Sequence, residues 1–257
     1  MCLVVFAWRA HPRYRLVVAA NRDELHARPA EAMHWWPDQP GLLAGRDLQA
    51  GGTWLALSRS GRFATVTNYR ERFRTEPGMT SRGRLVSDFV SGDTAPLAYA
   101  RSLEGSHYAG FSLLAADADS LCYTGNREDA ARLLEPGIYG LSNATLDTPW
   151  PKLERCRAGL AGLLERGDPS PTALMQLLAD TTPAPVRELD RDLPIELARA
   201  VSAPFIKNER YGTRCTTVVL VEQDGRTLVA ERSFGADGRQ SGERQFRLDP
   251  PQAGALS

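Results

Sequence analysis

The apolar residues of this chain come in short unbroken runs, and the runs come in pairs. Cys2–Trp8 and Leu16–Ala20 are strand-length and separated only by the turn at His11-Pro12. An unbroken apolar run predicts a strand covered on both faces, because polar alternation is lost when neither face meets water. Thr53–Ser58 and Arg62–Thr67 form a second pair around Ser60-Gly61, and Phe111–Ala116 with Ser120–Thr124 a third. Gly137–Leu141 adds a short strand. Cys215–Val221, Leu228–Arg232 and Gln245–Leu248 close the chain, the first two joined at Asp224-Gly225. Strands joined by hairpins pair antiparallel. The chain therefore predicts an α+β layered fold rather than a doubly wound parallel sheet.

Helices fall between the strand groups, at Ser81–Val90, Pro96–Leu103, Pro151–Arg166, Thr172–Ala179 and Leu193–Val201. In the longest of them Leu153, Cys156, Leu160, Leu163 and Leu164 recur at helical spacing, and Pro151 suits the first turn. Residues 28–52 carry Pro29, Pro37, Pro40, Gly41, Gly45, Gly51 and Gly52 and read as a long irregular segment. Its Trp35-Trp36 pair argues against disorder. No linker divides the chain, so one domain is expected over 1–257, with a frayed tail over 249–257. The apolar runs are too short for a transmembrane helix. Cys2–Trp8 lacks the basic flank of a leader, and a reduced, cytoplasmic setting is expected.

Charge excludes some partners. Lys and Arg total 31, as do Asp and Glu, which points away from nucleic acid. Only Lys152 and Lys207 are lysines, so 29 of the basic residues are arginine. The cluster Arg70-Glu71-Arg72-Phe73-Arg74 carries its own acid and reads as a solvated loop. Cys2, Cys122, Cys156 and Cys215 are dispersed, so neither a zinc ribbon nor a redox dithiol is signalled, and no metal site is expected.

Cys2 is the residue whose position matters most. Removal of Met1 would leave a cysteine with both a thiol and a free α-amine, a nucleophile with its own base. Its other reading is a small apolar residue opening a buried strand. If the first two strands pair about their turn, Cys2 comes opposite the tetrad Asn21-Arg22-Asp23-Glu24. Arg22 would then favour thiolate, and Asp23 would hold or orient the amine. Asn68 and Asn143 each end a strand-like segment and are candidate oxyanion donors. Arg214 precedes a buried strand, where it serves the site or caps the sheet.

Together these residues resemble the NRDE family, also called the transport and Golgi organisation protein 2 family. The resemblance runs through Met1-Cys2, Asn21–Glu24, Arg28-Pro29, Gly45-Arg46-Asp47 and Gly51-Gly52-Thr53-Trp54. It continues at Thr67-Asn68-Tyr69-Arg70, Ser81-Arg82-Gly83, Tyr108-Ala109-Gly110-Phe111 and Gly140-Leu141-Ser142-Asn143. Trp150-Pro151-Lys152, Gly212-Thr213-Arg214 and Glu231-Arg232 complete it.

That family is similar to the cysteine N-terminal-nucleophile hydrolases. The resemblance implies a four-layer αββα sandwich of two antiparallel sheets with outer helices. It also implies Cys2 as nucleophile, with Arg22, Asp23, Asn68, Asn143 and Arg214 around it, and a small-molecule amide as substrate. No cofactor is required by this reading. The alternative is a haem or acyl-lipid (acyl-CoA) carrier on the same fold, with Cys2, His26 or His34 as axial ligands. Asn21, Glu24, His34, Trp35 and Trp54 are the expected ligand contacts.

Overall fold

The computed structural model describes residues 2–70, 78–128, 130–189 and 193–250. Six strands build one sheet: β1 (Cys2–Trp8), β2 (Tyr14–Leu25), β10 (Gly137–Leu141), β11 (Tyr211–Glu222), β12 (Thr227–Phe234) and β13 (Gln240–Leu248), in the order β10-β1-β2-β11-β12-β13. The other sheet is a seven-stranded meander in chain order. It comprises β3 (Ala30–Trp36), β4 (Gln39–Asp47), β5 (Leu55–Ser58), β6 (Phe63–Asn68), β7 (Phe111–Ala116), β8 (Leu121–Gly125) and β9 (Arg132–Leu133). Neighbouring strands run antiparallel throughout. The helices are α1 (Gly83–Ser91), α2 (Pro96–Ser102), α3 (Pro151–Glu165), α4 (Pro171–Leu177) and α5 (Ile195–Val201).

Strand alternation sorts the side chains into layers. Val4, Phe6 and Trp8 of β1 join Leu43, Leu55 and Leu114 of the second sheet in the core between the sheets. Leu3, Val5 and Ala7 point the other way, onto Leu153, Cys156 and Leu160 of α3 and Leu174 of α4. The outer face of the second sheet carries Ala44, Ala56, Ala64 and Ala115 in one cross-strand row. These small residues form a shallow bed for Leu85, Val86 and Phe89 of α1. The layers are thus helix, sheet, sheet, helix: the four-layer αββα sandwich. No helix among the described residues is long and apolar enough to cross a membrane.

Two expectations need correction. Residues 28–52 are not irregular: β3 and β4 form a hairpin, with Pro37 in its turn and Gly51 and Gly52 beyond its end. Pro and Gly marked its ends, and Gly45 lies inside β4, where a Cβ would come within 2.3 Å of the Trp54 ring. The second strand does not stop at Ala20, where its apolar run ends, but continues through the tetrad to Leu25. The strand continues because β1 and β11 pair with it on both sides and satisfy its backbone groups. Residues 71–74 of the basic cluster and 251–257 of the tail lie outside the described residues.

Candidate active site

Register fixes the site. Cys2 stands opposite Arg22, and Cys215 of β11 stands opposite Arg22 from the other side. Directly opposed residues share a face, so Cys2, Arg22 and Cys215 all point toward the second sheet. Asn21 and Asp23 point to the helical side.

Asn21 is an anchor there. Its side-chain amide donates to the carbonyls of Leu178 and Pro204, both at 3.0 Å, and its Oδ1 accepts from Thr216 Oγ1 at 2.5 Å. Asn21→Ala would leave buried partners unpaired and is expected to cost about 3 kcal/mol of stability, readable in denaturant unfolding.

Asp23 is buried, and its Oδ1 accepts from Thr213 Oγ1 at 2.7 Å. Its backbone carbonyl accepts from the Tyr211 hydroxyl at 2.8 Å. Burial pushes the Asp23 carboxyl above its ordinary range, opposed by the charge of Lys152 and the hydrogen bond from Thr213. Burial likewise pushes the Cys2 thiol up. The charge of Asp23 adds to the rise, while Arg22 and a hydrogen bond from the Asp23 backbone oppose it.

Cys2 opens onto a cleft of about 430 Å³, a size suited to a small ligand. Arg22, Asp23, Glu24, Trp54 and Asn68 line it with Cys2. Arg22 is 5% exposed, lies 4.2 Å over the Trp54 ring and donates to Asp47 Oδ2 at 3.3 Å. Arg28 Nε donates to the same oxygen at 2.6 Å, so one carboxylate orients two guanidinium groups. Asp47 also closes its own turn by accepting from the Gln49 and Ala50 backbone N–H groups. Burial opposes its ionisation, but the bonds and charges of Arg28 and Arg22 prevail and hold the carboxyl below its ordinary range.

The far wall is the start of α1. Gly52 and Gly83 let two backbones touch: a Cβ on Gly52 would lie 2.6 Å from the Gly83 carbonyl carbon. Ser81, Arg82 and Gly83 thereby line the cleft beside Thr53.

Asn143 has φ 55°, the left-handed region that asparagine tolerates better than most residues. Its Nδ2 donates to the Asn68 carbonyl at 3.0 Å and its own carbonyl accepts from Arg70 N at 2.8 Å. It straps the end of β6 to the segment after β10 and lines a pocket of about 30 Å³ with Lys152, Arg70 and Trp150.

Residues 1–236 match the family model described as Transport and Golgi organisation 2. The chain belongs to this family. The Transport and Golgi organization protein 2 homolog of Bos taurus is 38% identical over 275 residues, spanning 96% of this chain and 99% of that protein. The Homo sapiens homolog is 35% identical over 258 residues, spanning 91% of this chain and 93% of that one. Among solved structures the chain is similar to the Caenorhabditis elegans N-acylethanolamine-hydrolyzing acid amidase ortholog. That likeness has a TM-score of 0.49 and 12% identity, over 85% of this chain and 92% of that one.

In this transport and Golgi organisation 2 family member, Cys2, Arg22, Asp23, Glu24, Trp54 and Asn68 share the cleft. The other expected residues do not reach it. Arg214 sits in a β-bulge between Thr213 and Cys215. The extra residue turns its guanidinium onto the carbonyls of Leu25, His26 and Arg28, at 2.9, 3.2 and 3.2 Å. His34 contacts the Ala32 carbonyl at 2.9 Å and Glu31 at 3.4 Å on β3, outside the cleft. Trp35 packs against the inter-sheet core with Arg59 at 3.9 Å over its ring. His26 is bonded to the Asn208 carbonyl at 2.9 Å. Neither histidine lines the cleft onto which Cys2 opens.

Sequence reasoning missed Asp47, Arg28, Thr213, Tyr211 and Lys152 as parts of the site. Arg28, Asp47, Lys152 and Thr213 stood in the motifs that carry the resemblance, and Lys152 also stood out as one of two lysines beside 29 arginines.

Proposed function

We propose that this family member is an amidohydrolase that uses Cys2 against the carbonyl of a small linear amide. The supporting observation is Cys2 at the cleft, opposite Arg22 and beside buried Asp23. In this reading removal of Met1 frees the α-amine of Cys2. That amine takes the thiol proton as Sγ bonds to the carbonyl carbon. The carbonyl π electrons move to oxygen, and the Asn68 amide donates to the oxyanion. Asn143 acts by holding the Asn68 backbone. Collapse re-forms the carbonyl and breaks the C–N bond, and the α-ammonium gives its proton to the leaving amine. Water then attacks the thioester, passing one proton to the α-amine, which returns it to the departing thiolate and releases the acid. Asp23 orients the amine, and the Arg22 cation favours thiolate.

Intact mass of the purified protein tests this in two steps. The expected result is loss of Met1, followed by a thioester adduct on Cys2 with a panel of amide and activated acyl probes. A processed protein that never acylates would sink the reading. A Soret shift on haem titration that disappears in Cys2→Ala would redirect it toward ligand carriage.

A further inference from the structure

Lys152 is 4% exposed in the first turn of α3 and lines the pocket of about 30 Å³ beside Trp150 and Val201. Its Nζ donates to the Val201 carbonyl at 3.0 Å. That is the one hydrogen bond of the ammonium among the described residues, so two of its three donors have no protein acceptor. Trp150, on the same pocket, holds its indole Nε1 buried and also without an acceptor. Buried donors are nearly all bonded in folded proteins, yet two side chains of one small pocket leave theirs open.

The backbone adds a third donor. Pro151 has no N–H, and the first bonds of the helix run from Leu153 and Glu154 to the Trp150 carbonyl, at 2.8 and 3.0 Å. The Lys152 N–H is left without a carbonyl, and Trp150 gives the helix no side-chain cap. With 15 residues, α3 brings the positive end of its dipole to this point. Its first-turn acid, Glu154, does not line the pocket and accepts from Arg157 at 3.1 Å. Arg70 adds a second cation to the lining, with its guanidinium 5.4 Å from the centre of the Trp150 ring. Glu188, the acid of the lining, is exposed and paired with Arg187 at 3.2 Å. Buried Asp23 acts on the ammonium through its charge, but Nζ makes no bond to it.

Open donors, a helix start and two cations call for an acceptor that carries negative charge. Size narrows the choice. A volume of about 30 Å³ holds roughly two waters. The two oxygens of a carboxylate fit that space, whereas a phosphate needs more.

We propose that this pocket binds a carboxylate group, whose oxygens accept from Lys152 Nζ, the Lys152 N–H and Trp150 Nε1. Its lining shares no residue with that of the cleft at Cys2, so the inference stands apart from the proposed reaction.

The probe is acetate, exchanged for chloride at constant ionic strength. The readout is the indole 1H–15N signal of Trp150, identified by its loss in Trp150→Phe. A saturable displacement of that signal is expected with acetate and none with acetamide, which has the same shape and no charge. Lys152→Met is expected to weaken acetate binding about tenfold or more. Should that variant not fold, Lys152→Gln, which keeps a donor for Val201, carries the same test. Octanoate separates two sources of the group. Binding at least as tight as that of acetate assigns the pocket to the end of a longer acid, and binding of acetate alone assigns it to a free small carboxylate. An indole signal that stays still with acetate, or moves equally with acetamide, overturns the proposal. Undiminished acetate binding in a folded Lys152 variant overturns it as well.

Discussion

Replacing Cys2 by alanine is expected to abolish amide turnover and acyl-adduct formation while the protein stays folded. A reaction that runs through one nucleophile loses about 10⁴-fold or more when that atom is removed. The fold has little stake in the thiol. Cys2 is only partly buried, at the open end of β1, and the apolar run that anchors the strand begins at Leu3. Thermal unfolding should therefore match the parent within a few degrees. Cys2→Ser keeps the shape and the adjacent amine but replaces a thiol by a far weaker acid, so it is expected to lose nearly as much. Turnover that persists in the alanine variant would place the chemistry elsewhere.

Gly52→Ala is expected to have the largest effect on architecture. Its new methyl would lie 2.6 Å from the Gly83 carbonyl carbon and 2.9 Å from the Gly83 Cα. Both are backbone atoms, so no side-chain rotation relieves the overlap. The start of α1 has to retreat from Thr53, stretching the Thr53 N–H bond to the Gly83 carbonyl, now 3.3 Å. The helix is held on its other side by Leu85, Val86 and Phe89 against the second sheet. Overpacking of this kind costs about 3 kcal/mol at its upper range, or a fall in Tm of roughly 6–12 °C for a chain of this size. Acylation of Cys2 should fall too, because Thr53 and Gly83 form the cleft wall. A variant that melts with the parent would show that the two backbones part without cost.

The part of the site carried by local hairpin geometry was legible from the sequence. The turn at His11-Pro12 was enough to bring Cys2 to the tetrad, and the ladder sets it opposite Arg22. Reach was lost where a partner lay far along the chain. The tetrad resembled a polar strand end because its other neighbour, β11, lies some 190 residues away; Thr213 bonds Asp23 across that separation. The resemblance put Arg214 at the site while its place before a strand also allowed a capping role, and a bulge, which no local pattern announced, turned it onto backbone carbonyls. His34 and Trp35 were chosen for their chemistry inside a segment taken as a loop. As parts of β3 they are committed to sheet packing.

The alternation within the tetrad has a consequence for how this chain can vary. Arg22 and Glu24 serve the cleft from one face of the strand, while Asn21 and Asp23 turn to the other, Asn21 onto the helical layer and Asp23 onto Thr213 of β11 at the edge of the cleft. Two functions are interleaved in a frame of two residues, as in a text read in alternate letters. Each letter can be exchanged and its loss measured separately. A single residue inserted or deleted within Asn21–Glu24 transposes both messages at once, sending an anchor into the cleft and a guanidinium among the helices. Length polymorphism in this strand is therefore expected to be far less tolerated than any one substitution.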